Sequence, residues 1–204
     1  MVRQKKPKPK TCRHCKSKYF PRTTTQVVCS TSCAIQYSKH QSAKQAERQA
    51  IADRKAHRER KAALKGIPEW SREAQVAFNR YVRWRDFGKE CASCGCILSW
   101  SGNYLTGSAV DASHYRSRGA ASQHRFNVFN VHAACTRCNR QLSGNAVEFR
   151  IRLVQRIGLE RVERLESDNT PRKFDIDYLK RVKSLFTRRA RHYEKLRKIH
   201  SEAA

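Results

Sequence analysis

The sequence predicts a mainly helical protein organised around small cysteine-bound metal modules: a four-cysteine knuckle, a long basic helix, a compact central module and C-terminal helices. Three observations carry this. Nine cysteines fall largely in close pairs, the spacing of metal ligands. The stretch from Tyr37 to Lys65 contains neither Pro nor Gly and is rich in Ala, Gln, Lys, Arg and Glu, all good helix formers. Only 39% of residues are hydrophobic and 30% are charged, too little apolar material for one large core in 204 residues, so something besides apolar burial must hold the parts together.

The charge restricts the partners. Forty-four Lys or Arg against 17 Asp or Glu leave a net charge of +27, which attracts polyanions at long range, with nucleic acid first among them. A ribosome-associated protein or a binder of anionic lipid are the competing readings. Lipid is the weaker, because no stretch joins the basic residues to a continuous Trp/Phe/Leu face. Without an apolar run of spanning length or a secretory signal, no membrane is expected, and the thiols are expected to sit in a reducing interior.

The elements follow in order. MVRQKKPKPK reads as a disordered basic arm, and Thr11 to about Ile35 as a knuckle too short to fold on its apolar content, together a first domain over 1–36. Residues 37–66 form a basic helical linker, polar nearly all round, that Gly66 and Pro68 stop. Residues 1–65 carry 18 Lys or Arg against Glu47, Asp53 and Glu59, so the positive field is concentrated at this end. The last domain, 67–204, opens with a helix capped by Ser71, with Val76, Phe78, Tyr81, Val82 and Trp84 on its apolar side. Residues 91–145 read as hairpin, loop and helix, followed by helices over Ala146–Ile157 and from Phe174 to about Ile199. The final helix places Ile176, Leu179, Val182, Phe186, Tyr193, Leu196 and Ile199 on one stripe, opposite Lys180, Arg181, Lys183, Arg188, Arg189 and Arg191. Such a helix closes a core, pairs with a second subunit or lies along phosphates.

Two cysteine constellations predict two structural Zn²⁺ sites. Cys12, Cys15, Cys29 and Cys33 form two pairs thirteen residues apart, able to converge as four soft ligands. Arg13, Lys16 and Lys18 surround this knuckle and would present a basic surface to DNA, with His14 a bystander. Cys91, Cys94, Cys135 and Cys138 form the second set, with forty residues between the pairs, so a module must fold between them. Cys96 is left over, either buried as a small apolar residue or replacing Cys94 as ligand; the repeated x2 spacing favours burial.

The segment between those pairs contains DASHYRSRG and RFNVFNVHAACTRCN, and here the chain resembles the HNH (ββα-metal) family of endonucleases. That resemblance implies a ββα core holding one Mg²⁺ or Mn²⁺, with His114 as general base, Asn130 bracing the loop and orienting His114, and Asn139 at the last motif position. Asp111 and Asn139 would supply hard oxygen ligands to the ion. Arg116 and Arg118 lie close by and could hold phosphate oxygens. The chain departs from many family members in having Ser113, not Asp or His, immediately before the base. His124 and His132 are further candidates, ranked below His114.

Over nearly its whole length, through WSREAQVAFNRYVRWRD, CASCG, DASHYRSRGAAS and RFNVFNVHAACTRCNRQLSGN, the chain is similar to the NinG (Rap) family of lambdoid phages. That similarity implies a metal-dependent recombination nuclease acting on branched DNA, such as Holliday junctions and D-loops, in the cytoplasm of a bacterial host. A homodimer suits the two-fold character of a junction. The alternatives are a non-catalytic zinc-containing DNA-binding accessory, favoured by Ser113, and a helper that recruits phage or host recombination proteins through the basic helix.

Overall fold

A computed structural model describes residues 8–98 and 110–202, with the backbone alone for 199–202. The first seven residues of the basic arm, part of the hairpin expected within 91–145 and the side chain of Ile199 lie outside the described residues. The fold is mainly helical, with two small two-stranded sheets. The chain divides between Leu64 and Lys65 into two compact units.

In the first unit β1 (Lys10–Thr11) pairs antiparallel with β2 (Lys18–Tyr19), and α1 runs from Thr31 to Ala63. The helix starts earlier than its composition suggests. Ser30 caps it, its hydroxyl accepting from the Cys33 amide at 3.2 Å, so Cys33 sits in the first helical turn, inside the element rather than before it. No residue of α1 is buried, as expected for a helix polar nearly all round.

The second unit begins with α2 (Ile67–Arg85). The preceding helix ends at Ala63, just ahead of Gly66 and Pro68, which also open the next one. Gly66 is the N-cap of α2, its amide donating to Glu69 Oε2 at 3.1 Å, and Pro68 occupies the first turn, where its missing N–H costs nothing. Ser71 therefore lies inside the helix rather than capping it. Then follow β3 (Val110–His114) and β4 (Val131–Cys135), antiparallel with Asp111 opposite Ala134 and His114 opposite Val131. Three helices complete the unit: α3 (Ala146–Ile157), α4 (Leu159–Ser167) and α5 (Ile176–Glu202).

Helix α4 is absent from the sequence expectation. Gly158 at φ +85 turns the chain between α3 and α4, a conformation that suits a residue without Cβ. Helix α5 lays its stripe on α2, where Leu179, Val182, Phe186 and Ala190 are buried and Phe78 meets Phe186 edge-on at 4.7 Å. The stripe thus closes a core. A second cluster joins α3 to α4 through Ala92, Phe149, Leu153, Val162 and Leu165. No helix among the described residues is long and apolar enough to cross a membrane.

Candidate active site and cysteine clusters

Each unit gathers four cysteines. In the first, the sulfurs of Cys12, Cys15, Cys29 and Cys33 all lie within 4.8 Å of one another, with Cys15 to Cys29 at 3.6 Å and Cys29 to Cys33 at 3.5 Å. In the second, Cys91, Cys94, Cys135 and Cys138 do the same, with Cys91 to Cys135 at 3.8 Å and Cys94 to Cys135 at 3.9 Å. Zn–S bonds of about 2.3 Å in a tetrahedron put sulfurs about 3.8 Å apart, so both sets could hold zinc. The amides of Cys135 and Cys138 donate to the sulfurs of Cys91 and Cys135, contacts that favour thiolates. Gly95, at φ +75, closes the Cys91–Cys94 turn, and a Cβ there would meet the Arg152 guanidinium. Cys96 is exposed rather than buried; its carbonyl accepts from the Cys91 amide, and its thiol lies beside the cluster, within hydrogen-bonding reach of Cys94 and Cys135.

The second cluster frames a cleft. Its backbone tie is Ala92 N–H donating to the Ala133 carbonyl at 2.9 Å, which docks the first cysteine turn on β4. After Cys135 the chain takes a wide π-turn, Arg137–Gln141, that buries Cys138 in the sulfur cluster and leaves its neighbour Asn139 half-buried beside β3. Asn139 Nδ2 donates to Asp111 Oδ2 at 3.0 Å. Asp111, itself buried, also accepts from Arg140, at 2.9 Å on Oδ2 and 3.2 Å on Oδ1. Asp111, His114, Arg118, Asn139 and Arg140 line one cleft of about 450 Å³ together with Asn79 and Arg83 of α2. Asp111 is the one carboxylate among its lining residues, against three guanidinium groups.

His114 ends β3, half-buried. Its Nε2 lies 3.1 Å from the Arg125 carbonyl, which can only accept, so Nε2 carries the hydrogen and Nδ1 keeps the free lone pair. Burial pushes its pKa down to about 4. The carbonyl contact works against this, while the charges of Arg118 and Arg125 add to it. Asn130 is fully buried and works through all its polar atoms. Its Oδ1 accepts from the Arg116 amide at 2.8 Å, and its Nδ2 donates to the carbonyls of Arg116 at 3.0 Å and His124 at 3.2 Å. It thereby ties the loop after His114 to the turn before β4.

Other expected residues are placed elsewhere. Arg116 is not among the residues lining the His114 cleft: Nη1 donates to the carbonyls of Leu165 at 2.7 Å and Asp168 at 2.9 Å, and Nη2 to Asn169 Oδ1 at 2.8 Å. The carbonyls left open at the end of α4 have recruited it. His124 is buried against the Leu165 carbonyl, and His132 against Arg85 and the Phe129 carbonyl. In the first unit Arg13, His14 and Lys16 line a cleft of about 410 Å³ with Tyr37, His40 and Gln41, while Lys18 is exposed on β2.

The comparison that decides the family is a match of residues 4–197 to the family described as Bacteriophage Lambda NinG protein. The chain belongs to the NinG family. It is similar to protein ninG of Escherichia phage lambda, 34% identical with 98% of each chain covered, and to that of Escherichia phage 933W, 33% identical over 98% of this chain and 99% of the relative. Protein ninG of Salmonella phage P22 is 38% identical over 71% of this chain and 66% of its own length. No solved structure matches.

Within this NinG-family chain, the lining residues that were not foreseen include Asn79, Arg83 and Arg140. Asn79 and Arg83 stand four apart on α2, hence on one face, and Arg140 directly follows Asn139. Helical spacing could have paired the first two. Which face of α2 meets β3 was legible only in the packing.

Proposed function

We propose that this NinG-family protein is a divalent-metal-dependent endonuclease that hydrolyses phosphodiesters in branched DNA recombination intermediates, with His114 as the general base. The observation carrying the reading is the single cleft that gathers His114, Asp111 and Asn139 among guanidinium groups. Branched substrates such as Holliday junctions and D-loops follow from the family resemblance, not from the cleft.

The chemistry of these residues is specific. His114 Nδ1 takes the proton from a water as that water attacks phosphorus, and the Nε2 contact to Arg125 holds the ring in the tautomer this requires. Arg118 and Arg83 bind phosphate oxygens and offset the charge that grows on them. Asp111 and Asn139 supply one carboxylate and one amide, a pair of hard oxygens that fits a cation keeping most of its waters. When bound there, Mg²⁺ or Mn²⁺ supplies positive charge to the scissile phosphate and the leaving 3′ oxygen. Arg140, exposed for 54% of its side chain, can withdraw from Asp111 at little cost.

Arg140 also favours a second reading, a non-catalytic zinc-containing DNA-binding protein, since its guanidinium already neutralises the cleft's carboxylate. One experiment separates the two. The protein is incubated with a four-way junction and a matched linear duplex, with and without Mg²⁺ or Mn²⁺. Metal-dependent cleavage of the junction is expected, reduced at least about a hundredfold in His114→Ala with binding retained. Binding without cleavage in any divalent metal establishes the second reading.

A further inference from the structure

A second cleft opens across α2 from the first. Asn79 and Arg83 line the His114 cleft, whereas Tyr81 and Arg85 line one of about 650 Å³. At about 100° per residue, the two pairs stand about 200° apart around the helix. The floor of this second cleft is an ionic network whose members satisfy one another. Asp86, 1% exposed, accepts from Arg85 Nη2 at 2.6 Å and from the Ala133 amide at 3.0 Å. Arg85 also donates to the carbonyls of Val128 and Val131 at 2.8 and 2.7 Å.

Two further cations stand above that floor. Arg156 donates Nη2 to the Glu90 carbonyl at 2.6 Å, but its Nη1 is shut from solvent with no acceptor among the described residues. The Lys89 ammonium, 54% exposed, pairs at 3.3 Å with Asp86, which Arg85 also neutralises, and the cleft's other carboxylate, Glu90, is engaged by Arg152 at 3.1 Å. At the mouth stands Phe129, 42% exposed, on a backbone pinned at both ends. Its N–H donates to Asn127 Oδ1 at 2.9 Å, and its carbonyl accepts from His132 Nε2 at 3.2 Å. The Arg161 guanidinium lies 5.0 Å from the ring centroid. An exposed aromatic ring on a pinned backbone, flanked by a guanidinium and beside a solvent-exposed ammonium, has the parts of a stacking platform next to a phosphate seat.

We propose that this cleft binds an unpaired nucleotide of single-stranded DNA, its base stacked on Phe129 and its phosphate held by Lys89. A closed duplex keeps its bases stacked inward and offers phosphates alone, so it can use the ammonium but not the ring. The cleft therefore discriminates unpaired DNA from duplex. The inference rests on the reading of this protein as one that acts on DNA, and provides that reading with a place to sense strand opening at a branch.

The test measures binding by fluorescence anisotropy without added divalent metal, so that affinity is read apart from cleavage. Three probes are used: a thymidine oligomer, a forked duplex with an unpaired arm, and a closed linear duplex. Phe129→Ala is expected to weaken binding of the oligomer and the fork about tenfold, with duplex binding unchanged. Phe129→Trp restores the loss, which separates stacking from misfolding. Lys89→Ala weakens all three. Equal weakening of all three probes by Phe129→Ala, or no change in any, overturns the proposal. Should the wild type cleave nothing while the Phe129 selectivity holds, the endonuclease reading fails and this one stands; cleavage with unselective Phe129 variants gives the reverse.

Discussion

His114 keeps one basic nitrogen, because the Arg125 carbonyl fixes the hydrogen on the other. Burial, aided by two neighbouring guanidinium charges, lowers its pKa to about 4, so the base stays unprotonated well into the acid range. In the unfolded chain the same imidazole titrates near about 6.5. Between those values the unfolded state binds the extra proton, so the contribution to stability is complete above about pH 6.5, declines as pH falls towards about 4, and is level below. His132 is shifted in the same direction, also chiefly by burial. The melting temperature is therefore expected to fall between pH 7 and pH 5, less steeply in His114→Asn. Identical slopes for the two proteins, measured by circular dichroism melts across that range, would show that His114 is not held neutral by the fold.

Helix α2 builds both clefts, and Asp86 at its end joins it to β4. Asp86 is held far below the usual carboxylate range. Burial opposes that shift and is outweighed by His132 and Arg85, so the residue is a buried charge that depends on its partners. Asp86→Asn leaves Arg85 buried and unpaired, and is expected to cost about 3–5 kcal/mol in urea unfolding. A loss below about 1 kcal/mol would mean that the network is not what fixes α2 against the sheet. This junction also shows where sequence reading stops. The bounds of α3 were legible because its apolar spacing ends at Gly158, and Asp111, His114 and Asn139 could be grouped by motif. Asp86 and Arg85 carried no such signal, since DFGKE after a helix reads as a polar exit. The placement of Arg116 was not legible, because proximity to His114 in the chain says nothing of the α4 carbonyls that hold it, and α4 itself is too short for its period to stand out.

At the scale of the molecule, the charge of +27 carries into two of the clefts: three arginines face one carboxylate around His114, and the knuckle's cleft is lined by Arg13, Lys16 and two histidines without any carboxylate. Both surfaces stand beside four-cysteine clusters that could hold zinc, so the charge is presented on small modules rather than on a large apolar core. Each phosphate neutralised by such a surface releases condensed counterion, and the logarithm of affinity falls against the logarithm of salt by about 0.9 per contact on duplex DNA. Engagement of about six or more phosphates predicts a loss on the order of a thousandfold between about 50 and about 200 mM salt. Arg83→Ala and Arg118→Ala are each expected to lower that slope by about one contact, because both side chains line the same cleft. Arg116→Ala should leave the slope unchanged while destabilising the fold, its guanidinium being committed to the end of α4. Anisotropy titrations of the linear duplex across that salt range decide the matter. A slope that drops for Arg116→Ala but not for Arg83→Ala or Arg118→Ala would place the phosphate path away from the His114 cleft.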